Sequence, residues 1–322
     1  MSLSNMKVFN EYLKKITIET LAQDVEKFNA ASAGSIRLTT QGIDGDFLQE
    51  SFWAGLHSAQ RRVDRYAANG AQAATPLTQK QYDSVKIAGG FGPILWEPSQ
   101  LSWVQKNPEE ALEVISRNLS EAIMSDQLNT AIAALVAAIG NQPTATNDVS
   151  ATAGVDYIAI NNAHALFGDA SQRLIAQVMT GAMYHKLIGK NLVNAEKLFT
   201  FSGVQVVDIL GKAVIITDAA ALYEAGTPNK QKVLSLADGA AMVMDGSDLI
   251  TNIQTSNGKE RIETTMQSDY SFGLGLKGFT WDVAGGGKSP TSAEIATGSN
   301  WDLVAATIKQ TAGVITIGDA TK

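Results

Sequence analysis

The feature that most constrains this fold is a single helical pattern of unusual length, residues 107–140. Asn107 can cap, Pro108 suits the first helical position, and Glu109 and Glu110 complement the helix dipole. Leu112, Ile115, Leu119, Ile123, Ile132, Leu135 and Ile139 then recur as one apolar stripe. Gly140 is expected to supply a left-handed stop, with Pro143 just beyond it. At 1.5 Å per residue the helix would run ~48 Å. A compact chain of 322 residues has a radius of gyration near ~20 Å, so such a helix crosses the whole subunit as a spine. Its longest apolar run, residues 131–139, is about half of the ~18 residues that suggest a membrane span. No membrane association is expected.

The segments around the spine alternate in character. Phe9, Leu13, Ile16, Leu21, Val25 and Phe28 recur at three- to five-residue steps, predicting an amphipathic leading helix. Residues 35–39 and 84–88 have strand character. Between them lies a polar Ala/Gln/Gly-rich span, 69–81, preceded by the basic knot Arg61-Arg62-Val63-Asp64-Arg65. A loop that long inside a compact domain is uncommon unless it is functional; read so, it is a long hairpin reaching another molecule. After a linker at 142–154, helices are expected at 157–167, stopped by Gly168, and at 182–188. Strands are expected at 174–179, 204–207, 213–217, 233–236, 240–244 and 249–253. Residues 261–283 hold two or three more, followed by a Gly285-Gly286-Gly287 hinge and a last strand at 313–317.

Composition excludes several chemistries. With no cysteine there is no disulfide framework, thiolate metal site or cysteine nucleophile. A net charge of −7 argues against a dedicated nucleic-acid binder. The N-terminal residues lack the basic-then-apolar pattern of a signal peptide, so assembly in a cytosol is expected.

Catalytic motifs are equally scarce. Gly273-Leu274-Gly275-Leu276-Lys277-Gly278 matches a dinucleotide fingerprint in form. That motif must open a helix whose amides meet a pyrophosphate, and here strand-forming Phe279-Thr280-Trp281-Asp282-Val283 follows. It is read as a decoy. The sequence contains no P-loop, Gly-x-Ser-x-Gly elbow or His-Glu-x-x-His motif. His57, His164 and His185 stand far apart, as surface or packing residues. Glu109, Glu110 and Glu113 are explained by the helix dipole, and Asp208, Asp218 and Asp238 by turn chemistry. No catalytic residue, cofactor or metal site is expected.

The order of parts resembles the major capsid proteins of tailed bacteriophages, a fold shared with encapsulin shells. Gly92-Pro93-Ile94-Leu95-Trp96-Glu97-Pro98, then Asn107-Pro108-Glu109-Glu110, is similar to the approach to their spine helix. Ala176-Gln177-Val178-Met179-Thr180-Gly181-Ala182-Met183-Tyr184-His185-Lys186-Leu187 resembles their strand-then-helix segment. Leu210-Gly211-Lys212-Ala213-Val214-Ile215-Ile216-Thr217-Asp218 resembles their strand and turn. Lys277-Gly278-Phe279-Thr280-Trp281-Asp282-Val283 and Asn300-Trp301-Asp302 resemble a closing segment of one subfamily.

The resemblance implies an α+β fold: N-terminal arm 1–45, extended β-hairpin loop 46–92, spine helix and first part of a peripheral domain 93–154, α/β axial domain 155–255, and returning peripheral strands 256–322. It implies a shell protein of the virion that self-assembles into pentamers and hexamers of an icosahedral head around double-stranded DNA, which it does not read by sequence. It further implies a separate scaffolding protein, a portal and a cementing protein. A scaffolding segment ahead of the arm would be either absent or already removed. Lys80 and Lys86 lie where some relatives crosslink, but the partner Asn and catalytic Glu find no match. The expected inter-subunit residues are Phe9, Leu13, Val85 and Ile87 as apolar contacts, with Arg61, Arg62 and Arg65 as ion-pairing groups. The alternatives are an encapsulin-like compartment shell and a soluble α/β enzyme.

Overall fold

The leading helix and the spine both form in the computed structural model, which describes residues 3–42, 45–53, 60–66, 68, 70–74, 76, 79–198, 212–246, 248–257, 260 and 262–322. The chain begins with α1 (Leu3–Ala31), β1 (Ile36–Gly42), β2 (Phe47–Trp53), β3 (Gln79–Trp96), α2 (Pro98–Lys106) and the spine α3 (Pro108–Gly140). It continues through β4 (Thr146–Asp148), α4 (Tyr157–Ala165), β5 (Leu174–Met179), α5 (Gly181–Leu198), β6 (Ala213–Ile216), β7 (Tyr223–Glu224) and β8 (Lys230–Ala237). Next come β9 (Ala241–Asp245), β10 (Ile250–Ser256), β11 (Glu263–Leu276) and β12 (Phe279–Trp281). Short α6 (Val283–Gly286), α7 (Ser292–Ile295), β13 (Trp301–Leu303) and β14 (Gly313–Asp319) close the chain. The strand expected at 204–207 lies outside the described residues.

Two six-stranded sheets hold most of the strands, and β12 pairs with β13 in a separate two-stranded ribbon. The first runs β1-β9-β11-β3-β2, with β10 also on β11; the second runs β4-β14-β8-β5-β6, with β7 on β8. The last strand, β14, thus joins the second sheet, although residues 256–322 were expected to return as one unit. In the opposite sense, β9 and β10 pair with β11 in the first sheet. One apolar core spans both sheets. It joins Ile132, Leu135 and Ile139 of α3 to Val243, Phe272 and Leu274 of the first sheet and to Val178, Leu234 and Ile315 of the second. The apolar C-terminal half of α3 is long and greasy enough in composition to suit a bilayer, but Ala131, Ala134, Leu135 and Ala138 are wholly enclosed by the subunit.

Several local expectations need correcting. Asn107 occupies the N-cap position of α3, yet its side chain caps no amide; its Nδ2 donates instead to Glu110 Oε2 at 3.2 Å. Gly140 is not a left-handed stop: it remains helical, and Asn141 after it has right-handed angles, φ −76° and ψ −6°. The expected linker contains a strand, β4, paired in parallel with β14. The triple glycine is no hinge either. Gly286 packs so tightly that a Cβ there would lie 2.0 Å from Trp281 Cζ2. Trp281 and Trp301 meet edge to face at 4.9 Å, and their indole N–H groups donate to Gly287 O at 2.9 Å and Ile295 O at 3.0 Å.

Candidate assembly surface

The extended loop is a two-stranded arm with a locked base. Antiparallel pairing runs from Phe47↔Val85 to Trp53↔Gln79, and the arm is fastened to the body along β3. Lys80 Nζ donates to Val304 O at 2.6 Å, and the Asp83 amide donates to Thr280 Oγ1 at 2.8 Å. Lys86 pairs with Asp248 at 3.2 Å. Gly275, central to the fingerprint-like string, sits in β11 where a Cβ would lie 2.4 Å from Tyr82 Oη. Its smallness serves strand packing rather than a phosphate, as expected.

Beyond this base the described part of the loop is open to solvent. Arg61, Arg62 and Arg65 are exposed. Asp64 Oδ1 accepts from the Tyr66 amide at 2.9 Å, folding the segment into a tight turn. That turn holds out Val63, 65% exposed, and Tyr66, 93% exposed. Parts of the polar span, residues 69, 75, 77 and 78, lie outside the described residues, as does His57.

The four apolar candidates are placed differently. Leu13, Val85 and Ile87 belong to the main core, and Phe9 packs with Val104 and Ala111 beside Trp96 and Trp103. At 0–5% exposure they are covered by their own chain, so the expectation that they wait for a neighbour does not hold for the subunit. The physical reason is that α1 lies along α3 and buries Phe9 and Leu13 there, while Val85 and Ile87 sit in β3 beside Leu274 and Phe272 of β11 in the core. The end of α1 is tied down by Asn29, whose side chain donates to Leu38 O at 2.6 Å and accepts from Leu38 N at 2.9 Å.

What sequence reasoning missed is a groove, because β3, α2, α3 and Met266 of β11 build it together. The upper part of β3, α2 and the middle of α3 enclose about 430 Å³, lined by Phe91, Ile94, Trp96, Trp103, Ile115 and Leu119. Gln100 and Asn118 supply its exposed polar groups. The short α2 was itself not foreseen; Glu97 and Gln100 start it with a reciprocal capping box.

Polar chemistry elsewhere is structural. His164 is buried with Nε2 2.9 Å from Ser235 Oγ, and burial, reinforced by the Lys212 ammonium, pushes it down to about 4. Tyr270 Oη donates to Asp126 Oδ2 of the spine at 2.6 Å. Desolvation first, then the Asp126 hydrogen bond and charge, hold that phenol far above its ordinary value. Asp218 Oδ1 accepts from the Gly181 amide at the start of α5, at 3.0 Å. Among the described residues no three His, Cys, Asp or Glu side chains cluster to hold a metal ion.

A family model described as Gp13-like, major capsid protein 13-like, matches residues 5–315. The chain is similar in structure to the capsid subunit of cyanophage Pam1, with a TM-score of 0.52, 12% identity and 88% of each chain covered. That likeness shows a shared phage capsid fold, mixed α+β. Weaker structural matches include Microbacterium phage Oxtober96, with a TM-score of 0.47, 14% identity and 90% of each chain covered. Helicobacter pylori bacteriophage KHP30 matches at a TM-score of 0.46 and 8% identity, over 90% of this chain and 89% of that one. No curated protein matches the sequence.

Proposed function

This chain belongs to the Gp13-like family of major capsid proteins, and from that premise we propose how it builds a shell. It is a structural protein of the virion capsid that associates with copies of itself. The family match disfavours both the encapsulin-like compartment and the soluble enzyme. In the reading we propose, the shell is the icosahedral head of a tailed phage, built from pentamers and hexamers around double-stranded DNA. It works by association without a catalytic step. A separate scaffolding protein, a portal and a cementing protein complete the assembly. The chain's acidic balance supports enclosure of DNA without gripping it, since phosphate contacts need basic surface.

We divide the subunit into an arm at 1–45, an extended loop at 46–92, a peripheral region around the spine from 93–154, and an axial region from 155–255. Strand pairing supports two adjustments: 241–256 go with the peripheral sheet, and β14 goes with the axial one rather than with the rest of 256–322. The observation that carries the assembly reading is the loop itself. It presents Arg61, Arg62 and Arg65 in the open, with no ion pair to them among the described residues. Deleting residues 70–78, which stops short of the β3 pairing that begins at Gln79, should leave a folded subunit, seen by circular dichroism, that forms no particles. Normal shells from that deletion would defeat the reading. Reversing charge with Arg62→Glu and Arg65→Glu should lower particle yield in a salt-dependent way; unchanged yield would return these arginines to a solvated role.

A further inference from the structure

We propose that the second sheet holds a buried water molecule beneath α4, bonded along the edge of the Gln177 amide and shared with the Ser235–His164 pair. The site belongs to the folded subunit and does not depend on how copies associate.

Gln177 is the anomaly behind the inference. It lies in β5, is 0% exposed, and neither its amide Nε2 nor its Oε1 has a hydrogen-bond partner among the described residues. Most buried polar side chains are paired, because a group stripped of water and given nothing in return destabilises the fold. Here the donor end and the acceptor end are both stripped.

The strand register puts a polar pair beside it. Gln177 stands directly opposite Ser235 of β8, so the two side chains leave the same face of the sheet, with Cβ atoms ~4.5–5.5 Å apart. Ser235 Oγ in turn meets His164 Nε2 of α4 at 2.9 Å, so this is the face that α4 covers. The polar row splits the apolar packing of that face in two. Ile160, Met179 and Val233 belong to one cluster, and Phe167, Leu174 and Val314 to another. A buried site with several polar groups close together is the kind that retains an internal water, which needs two to four polar partners.

The donor set selects water over an ion. Gln177 Nε2 requires an acceptor and Oε1 a donor. An anion would serve Nε2 and be repelled by Oε1. A metal cation would serve Oε1 and be repelled by Nε2, and the Lys212 ammonium, bonded to the Leu174 carbonyl of the same strand, already brings positive charge. Water accepts from one end and donates to the other. The Ser235 hydroxyl can donate or accept toward it. Burial first, then the Lys212 ammonium, hold the His164 ring down to about 4, so at neutral pH the imidazole is uncharged and its neighbour need not be an anion. Polar groups too far apart for a direct bond are the ones that a single water bridges.

The direct test is a structure of the unaltered full chain, as particles or as folded subunit, at a resolution that shows ordered waters. The expected result is a water peak within hydrogen-bond distance of the Gln177 amide and of Ser235 Oγ or His164. An amide with no peak beside it, or one bonded directly to a protein group, would overturn the proposal. Gln177→Met gives an independent readout by urea unfolding, since methionine has a similar shape and cannot hold the water. If the water already satisfies the amide, the midpoint stays unchanged or falls. A rise in midpoint would show that the amide is dry and unpaired, and would equally overturn the proposal.

Discussion

Substituting Gly286→Ala should destabilise the subunit by about 1–3 kcal/mol. A Cβ at Gly286 would lie 2.0 Å from Trp281 Cζ2 and 2.6 Å from two further indole atoms, well inside van der Waals contact. The indole has little freedom to retreat. It is 1% exposed, meets Trp301 edge to face at 4.9 Å, and donates to Gly287 O at 2.9 Å. Swinging it away loses a hydrogen bond of about 1 kcal/mol and an aromatic pair of about 0.5–1.5 kcal/mol. Leaving it in place costs overpacking strain of about 1–3 kcal/mol. Urea unfolding followed by tryptophan fluorescence would show the midpoint falling with little change in slope. Because the corner joins β12 to β13, some early loss of fluorescence asymmetry should accompany the shift. A midpoint unchanged from wild type would refute the packing argument and restore the triple glycine as a hinge.

Three smaller tests follow from the same structure. Gly140→Ala should stabilise by about 0.5–1 kcal/mol, because Gly140 is helical and a Cβ there meets nothing within 4 Å; destabilisation in a thermal melt would contradict the assigned helix end. Tyr270→Phe should cost about 1.5–3 kcal/mol at neutral pH by removing the charge-assisted bond to Asp126, measured by urea midpoint. His164 is held near 4 in the folded chain against an ordinary value of 6.5. The unfolded chain therefore binds the proton first, so stability is full above pH 6.5 and falls by about 3 kcal/mol as pH drops toward 4; His164→Gln should flatten that slope, and an unchanged slope would refute the assignment.

The parts legible in the sequence were those with long, regular patterns. The apolar stripe of α3 and the three- to five-residue steps of α1 each persist for many turns, so local periodicity identified both. β2 escaped because Phe47-Leu48-Gln49-Glu50-Ser51-Phe52-Trp53 has no clean two-residue alternation; its pairing with β3 defines it. α2 has nine residues, too few to display a stripe. The error over Phe9, Leu13, Val85 and Ile87 has a single source: sequence shows that a position is apolar, not whether its own chain or a neighbour covers it. Charge is different, because arginines at 61, 62 and 65 stay exposed wherever the turn lies. The groove was invisible because Trp96, Trp103 and Leu119 come from three elements brought together only by folding.

Electron microscopy of the purified full-length protein in negative stain tests the shell reading most directly. Closed particles tens of nanometres across, built from rings of five and six subunits, are the predicted result. A folded chain that yields only monomers or small oligomers even when co-expressed with a scaffolding protein would contradict it.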